Sequence, residues 1–207
     1  AIHAGKRARS ETEIGCLRRS VAAVVVTLAK ETFPTLSNRT ALLIGAGKIS
    51  ALTARALVQA GLHFILVANR TYERAQKLAH TIGGRAVHFN ALSDSLIQAD
   101  IAICSTGAPH IVLRYETIQQ AMSVRKGRPL LIVDLAVPRD VDPMIAGLPQ
   151  VTLVDIDDLE KLVQRDYPPA TSTRQRIEDI ISEELAHFSE WLCQRRNAEL
   201  IQRIHKH

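Results

Sequence analysis

Apolar residues fall along this chain in short runs and stripes whose period changes in a regular order. Thr40 to Ile44 is a continuous apolar run that ends at Gly45-Ala46-Gly47. Beyond it, Ile49, Leu52, Thr53, Ala56, Leu57 and Ala60 recur at three- and four-residue spacing, the stripe of an amphipathic helix, and Gly61 offers the left-handed conformation that closes one. Phe64 to Ala68 is a second run, Tyr72 to Ile82 a second helical pattern, and Gly83-Gly84 its stop. Ala99 to Cys104, Pro129 to Asp134 and Val151 to Val154 read as further strands, with helical stretches between them. Runs this apolar suit strands covered on both faces, and strands alternating with helices imply right-handed crossovers in a parallel sheet. The pattern predicts an α/β fold, a Rossmann-like doubly wound parallel sheet over residues 34–157.

The flanks differ from this centre. Residues 1–33 read as a linker and an entry helix: Ala1 to Ile14 is polar and aperiodic, while Ser20 to Lys30 places Val21, Val24, Val25 and Leu28 at helical spacing ahead of Pro34. At the other end Thr171-Ser172-Thr173 offers capping hydroxyls, and neither Gly nor Pro interrupts the chain from there to His207. Ile177, Ile181, Leu185, Phe188 and Leu192 share one stripe. At 1.5 Å per residue that helix would run roughly 50 Å, more than the sheet needs. Residues 158–207 are therefore expected to form a connecting segment and a long C-terminal α-helix leading toward another domain or a second subunit.

Composition narrows the class without naming a function. Over 207 residues, 46% hydrophobic and 23% charged content belongs to a folded protein, and only 4% aromatic residues leave the core to aliphatic side chains. No apolar run approaches the ~20 residues that span a bilayer, and no signal peptide opens the chain, so a cytoplasmic protein with no membrane association is expected. Cys16, Cys104 and Cys193 have neither a metal spacing nor a disulfide framework and read as free thiols. The eight histidines form no metal-binding pattern, so no metal site is expected. The net charge of +5 owes something to Lys6, Arg7, Arg9, Arg18 and Arg19, a cluster that either touches RNA phosphates or is a solvated segment.

Chemistry enters at three strand ends. Gly45-Ala46-Gly47-Lys48-Ile49-Ser50 has the G-x-G-x-x-small pattern after a strand and at the opening of a helix. Gly45 permits the turn, Gly47 lets backbone approach a pyrophosphate at the helix N-terminus, and Ser50 replaces a third glycine where helix meets strand. A carboxylate normally closes the second strand of an NAD site; here the residues are Ala68-Asn69-Arg70-Thr71. Nothing there repels a 2′-phosphate and Arg70 can pair with one, so NADPH is favoured over NADH. Thr71 either adds its hydroxyl or caps the next helix. Ser105-Thr106-Gly107-Ala108-Pro109 follows the strand ending at Cys104 and is placed beside the nicotinamide half of the cofactor. Cys104 reads as buried packing rather than a nucleophile. The phrase Asp134 to Asp142, at the end of the strand Pro129 to Asp134, reads as salt-bridged loop structure.

With these phrases in order the sequence resembles the glutamyl-tRNA reductase family over nearly its whole length. The matching segments are Gly5 to Thr12, Leu43 to Gly47, Val67 to Thr71 with Glu73-Arg74-Ala75, Ser105 to Pro109, Asp134 to Pro143, and Asp155-Ile156-Asp157-Asp158-Leu159. The glycine and Asn-Arg-Thr phrases are shared with shikimate dehydrogenases; the two aspartate-rich ones are more specific. In that family a cysteine thiolate captures the glutamyl group of glutamyl-tRNA as a thioester, and NADPH reduces it to glutamate-1-semialdehyde, the entry to tetrapyrrole (porphyrin) synthesis. The resemblance implies that the family's nucleophile lies in an N-terminal domain ahead of Gly5. It also implies that the long helix leads to a C-terminal dimerisation domain, which makes the full-length enzyme a homodimer. Lys48 stands where the family usually has an acidic residue and Ser50 where it usually has glycine. The rival readings are an NADP-dependent dehydrogenase related to shikimate dehydrogenase and a non-catalytic NADPH-binding regulatory module.

Overall fold

The computed structural model describes residues 2–12, 17–166 and 171–204. Six strands, β1 (Thr40–Ile44), β2 (Phe64–Ala68), β3 (Arg85–Val87), β4 (Ile101–Cys104), β5 (Leu130–Asp134) and β6 (Val151–Val154), pair in parallel in the order β3-β2-β1-β4-β5-β6. Winding reverses between β1 and β4, and a sheet of this kind opens its ligand crevice at the carboxyl ends of those strands. The helices are α1 (Ile2–Glu11), α2 (Leu17–Thr32), α3 (Lys48–Gln59), α4 (Tyr72–Ile82), α5 (Leu92–Gln98), α6 (Tyr115–Val124), α7 (Ile156–Asp166) and α8 (Thr171–Ile204). Two compact units are present: Arg18–Asp166, and Ala1–Leu17 with Tyr167–His207.

In the first unit strand residues alternate between two apolar layers, as the period of two requires. Ala41, Leu43, Val67, Ile103 and Val133 pack with Val24, Val25 and Phe33 of α2 and the turn after it, with Leu57 of α3 and with Leu78 of α4. Leu42, Ile44, Ala102, Cys104 and Ile132 pack on the other face with Leu96 of α5 and Ile118 of α6. Gly61, at φ +99°, and Gly83, at φ +69°, end α3 and α4 in the left-handed conformation.

The second unit is a helical pair joined by charge. From α1, Arg7 binds Glu183 at 2.7 Å and Glu184 at 3.0 Å on α8, and Glu11 of its own helix at 2.8 Å. Arg176 returns from α8 to Glu11 at 2.6 Å, and His3 meets Glu184 at 2.9 Å. These contacts hold the Glu11, Glu183 and Glu184 carboxyls below their ordinary range, chiefly through hydrogen bonds to Arg7.

Three elements differ from the sequence reading. The opening residues, expected as aperiodic linker, form α1, because ion pairs from a distant helix stabilise it where no apolar stripe does. Strand β3 is absent from the apolar pattern; it is three residues long, and it takes its order from pairing with β2. Helix α7 begins where the pattern ends the sheet domain, started by the Asp155 carboxylate accepting from the Asp158 amide at 2.9 Å. Cys16 and the side chains of Arg9, Arg18, Arg19 and Cys193 lie outside the described residues.

Candidate functional site

The tips of β1, β2 and β4 carry the phrases singled out in the sequence. Gly45 leaves β1 at φ +107°, and a Cβ there would stand 2.7 Å from the Ser105 carbonyl oxygen at the tip of β4. Conformation and close approach both demand glycine. Its amide donates to the Ala68 carbonyl at 2.8 Å, joining the corner to β2. Gly47 is different: it is the extended N-cap of α3, and a Cβ on it would meet nothing within 4 Å. The chain's own packing does not require glycine at that point. The space it leaves lies before the first amides of α3, which have no intrahelical acceptor and receive no side-chain cap. A helix N-terminus so arranged attracts an anion, and the exposed Lys48 adds positive charge.

Behind this corner Ala46 and Ile49 are half-buried and pack on the core. Ser50 is fully buried, and its hydroxyl hydrogen-bonds that of Ser105, so the third small residue ties α3 to β4. At the tip of β2 the Asn69 amide donates to the Thr71 carbonyl at 2.9 Å and rigidifies the turn. Thr71 occupies the N-cap of α4 without a side-chain cap bond, so the capping alternative is not realised. Arg70 is exposed and has no hydrogen bond or ion pair among the described residues; Arg74 is exposed one turn on. Nearby, the Tyr72 and His88 rings stack at 3.9 Å and 9°.

The loop after β4 is fixed by the loop after β5. Asp140 is fully buried, accepting from the Thr106 amide at 2.7 Å and the Thr106 hydroxyl at 2.5 Å, while that hydroxyl accepts from the Ala108 amide at 3.1 Å. Asp134 in turn accepts from the amides of Ala136, Asp140 and Val141 at 3.0–3.1 Å. Burial pushes its carboxyl up, the three amides oppose this, and Asp140 adds to it. Only part of the phrase is salt-bridged as expected: Arg139 binds Asp155 at 2.7 Å and Asp157 at 3.2 Å, whereas Asp134 and Asp140 serve backbone and Thr106. Gly107 is exposed with open space at its Cβ direction. Cys104 is fully buried, and burial, then the charges of Asp134 and Asp140, push its thiol well up, which leaves it inert. The grip of Asp140 on Thr106 escapes sequence reasoning; its one signal is a run of aspartates after a buried strand.

Residues 27–162 match the protein family described as Shikimate / quinate 5-dehydrogenase. Over 193 residues the chain is 45% identical to glutamyl-tRNA reductase of Moorella thermoacetica, covering 93% of this chain and 44% of that protein. Glutamyl-tRNA reductase of Geobacter sulfurreducens is 40% identical over 192 residues, with the same two coverages of 93% and 44%. Among solved structures, the glutamyl-tRNA reductase of Methanopyrus kandleri superposes with a TM-score of 0.68 at 37% identity, covering 92% of this chain and 48% of that one. The chain spans less than half the length of each of these relatives.

Proposed function

The chain belongs to the shikimate / quinate 5-dehydrogenase family, and from that premise we propose that it is the NADPH-binding part of a glutamyl-tRNA reductase. The observation that carries the proposal is the β1–α3 corner, where Gly45 is closed by Ser105 while Gly47 stays open before uncapped amides. A dinucleotide pyrophosphate suits that corner, held by the backbone from Gly45 through Ser50, with Lys48 adding charge. Arg70, which has no hydrogen bond or ion pair among the described residues, takes the 2′-phosphate, with Asn69 shaping the turn and the Thr71 hydroxyl beside it. Ser105, Thr106 and Gly107 border the nicotinamide half. When bound, NADPH supplies the hydride that reduces an activated glutamyl group to glutamate-1-semialdehyde in porphyrin biosynthesis.

The proposal extends to the setting. Glutamyl-tRNA is the substrate of the complete enzyme, which is a homodimer at full length and works in the cytoplasm. Among the described residues no helix is long and apolar enough to cross a membrane, and the buried Cys104 thiol suits a reducing compartment.

Calorimetric titration tests the cofactor. NADPH is expected to bind at least about tenfold more tightly than NADH, and Arg70→Glu to cut NADPH affinity about 10- to 100-fold with little change for NADH. Equal affinities for the two would sink Arg70 as the selector. A chimera of the Moorella enzyme carrying this chain in place of its matching segment tests the reaction. It is expected to form glutamate-1-semialdehyde from glutamyl-tRNA and to leave shikimate unoxidised; the reverse result favours the dehydrogenase reading that the family name suggests.

A further inference from the structure

Beside Arg70 stands a second side chain that nothing in the fold employs. His88 is exposed, and neither of its ring nitrogens makes a hydrogen bond or ion pair among the described residues. Two contacts fix its place. The parallel register pairs Ala68 of β2 with Val87 of β3, so His88 leaves the tip of β3 alongside Asn69, where β2 gives way to Arg70. Its ring also lies flat on that of Tyr72, at 3.9 Å and 9°, and Tyr72 opens α4 two residues after Arg70. Strand pairing and ring stacking thus bring the imidazole to the Arg70 turn by independent routes. The His88 carbonyl accepts from the Ala91 amide at 3.0 Å, which orders the backbone that presents the ring.

A ring stacked through its face keeps its nitrogens available, because they lie in the ring plane. Packing on Tyr72 would be served by any flat side chain; imidazole is the aromatic ring that can also carry a positive charge near neutral pH. The π face of a tyrosine tolerates that charge, since its centre is negative. The charged groups on the surrounding elements are Arg70 at the β2 tip, Glu73 and Arg74 in the first turn of α4, Arg85 on β3 and Asp94 on α5. All five are exposed, and none pairs with His88. We propose that His88 is a second determinant of cofactor choice: as an imidazolium it donates to the 2′-phosphate that Arg70 takes, so its contribution to NADPH preference grows as pH falls. This rests on the NADPH reading of the β1–α3 corner and deepens it. Histidines ordinarily change charge between about pH 5 and about pH 8, and the contact weakens as the proton leaves. NADH has a hydroxyl in place of the phosphate and gains little from the charge. The phosphate itself becomes more negative over the same range, which favours Arg70 as pH rises. Comparing variants at one pH removes that opposing trend.

Calorimetric titration of the 207-residue chain with NADPH and with NADH, at about pH 6 and about pH 8, tests this. At the lower pH His88→Asn is expected to weaken NADPH binding about fivefold, the scale of one exposed charge contact; at the higher pH it is expected to match the parent chain. NADH affinity is expected to stay unchanged at both. His88→Arg carries a charge that does not titrate, so at about pH 8 it is expected to bind NADPH about fivefold more tightly than His88→Asn. An equal loss at both pH values marks a structural role and overturns the proposal, as does a loss shared by NADH or no loss at the lower pH. Arg70→Glu, titrated in parallel, keeps the two readings apart. If that variant binds NADPH as the parent chain does, the cofactor reading falls and this one with it. If it binds weakly while His88→Asn matches the parent at both pH values, the role of His88 falls alone.

Discussion

The two compact units of this chain are held by different physics. Arg18–Asp166 buries two apolar layers against a six-stranded sheet, with Leu42, Leu43, Ile44, Ile103 and Ile132 fully out of water. The α1–α8 pair instead relies on a cluster of arginines and glutamates, and α8 leaves large apolar side chains exposed. Apolar burial is not screened by salt and changes little with pH; ion pairs at the surface are screened by salt and vanish when the carboxylates protonate. One unit is a self-sufficient scaffold for a site at its strand tips. The other is a conditional assembly whose order depends on solution conditions and on what covers it.

That contrast can be broken in several places. The largest effect is expected from Ile132→Ala, which empties a fully buried position between sheet and helices. It should cost about 2–5 kcal/mol in denaturant unfolding of the sheet unit. Asp140→Ala comes next: it strands the amide and hydroxyl of the half-buried Thr106 and should cost about 1–3 kcal/mol. NADPH titration of the same variant should show weaker binding, because the loop after β4 loses its tether. A stability loss with unchanged NADPH affinity would detach that loop from the cofactor.

Acid separates the units by sign. Glu11, Glu183 and Glu184 have lowered folded values, so their contribution is present above the ordinary carboxylate range and is lost as pH falls through those lowered values. Asp134 has a raised value, so its contribution is full below the unfolded value and is lost as pH rises through the folded one. Between about pH 5 and about pH 2, hydrogen-exchange protection factors should fall in α1 while those of β5 hold or improve. Added salt should loosen α1 in the same way and leave β5 unmoved. Parallel loss in both units would erase the distinction. The smallest effect is a reactivity one: Cys104 should resist alkylation until the sheet unit unfolds, and prompt labelling of the native chain would contradict its burial.

Legibility in the sequence followed the same divide. Strands β1, β2 and β6 and helix α4 lie where the apolar pattern predicts, because each is written in local periodicity, with a glycine to close β1 and another to close α4. The β1–α3 corner was readable for the same reason, since turn, strand end and helix start are neighbours in sequence. The elements that escaped depend on partners far along the chain. Nothing within Arg85–Val87 reveals that β2 will pair with it, and nothing within Ile2–Glu11 reveals Glu183 and Glu184. Asp140 belongs with these: its carboxylate serves Thr106, 34 residues earlier, and such a contact leaves no periodic trace.

The position of Arg70 has a consequence for how cofactor preference can change. Gly45 is locked by the Ser105 backbone, so this position of the corner proposed to receive the diphosphate tolerates almost no substitution. Arg70 stands on a different strand's tip, exposed and bonded to nothing within the described chain. On the reading proposed for Arg70, grip and choice are separate controls, and exchanging one surface residue would retune which nicotinamide coenzyme is taken. The scaffold beneath would not register the change.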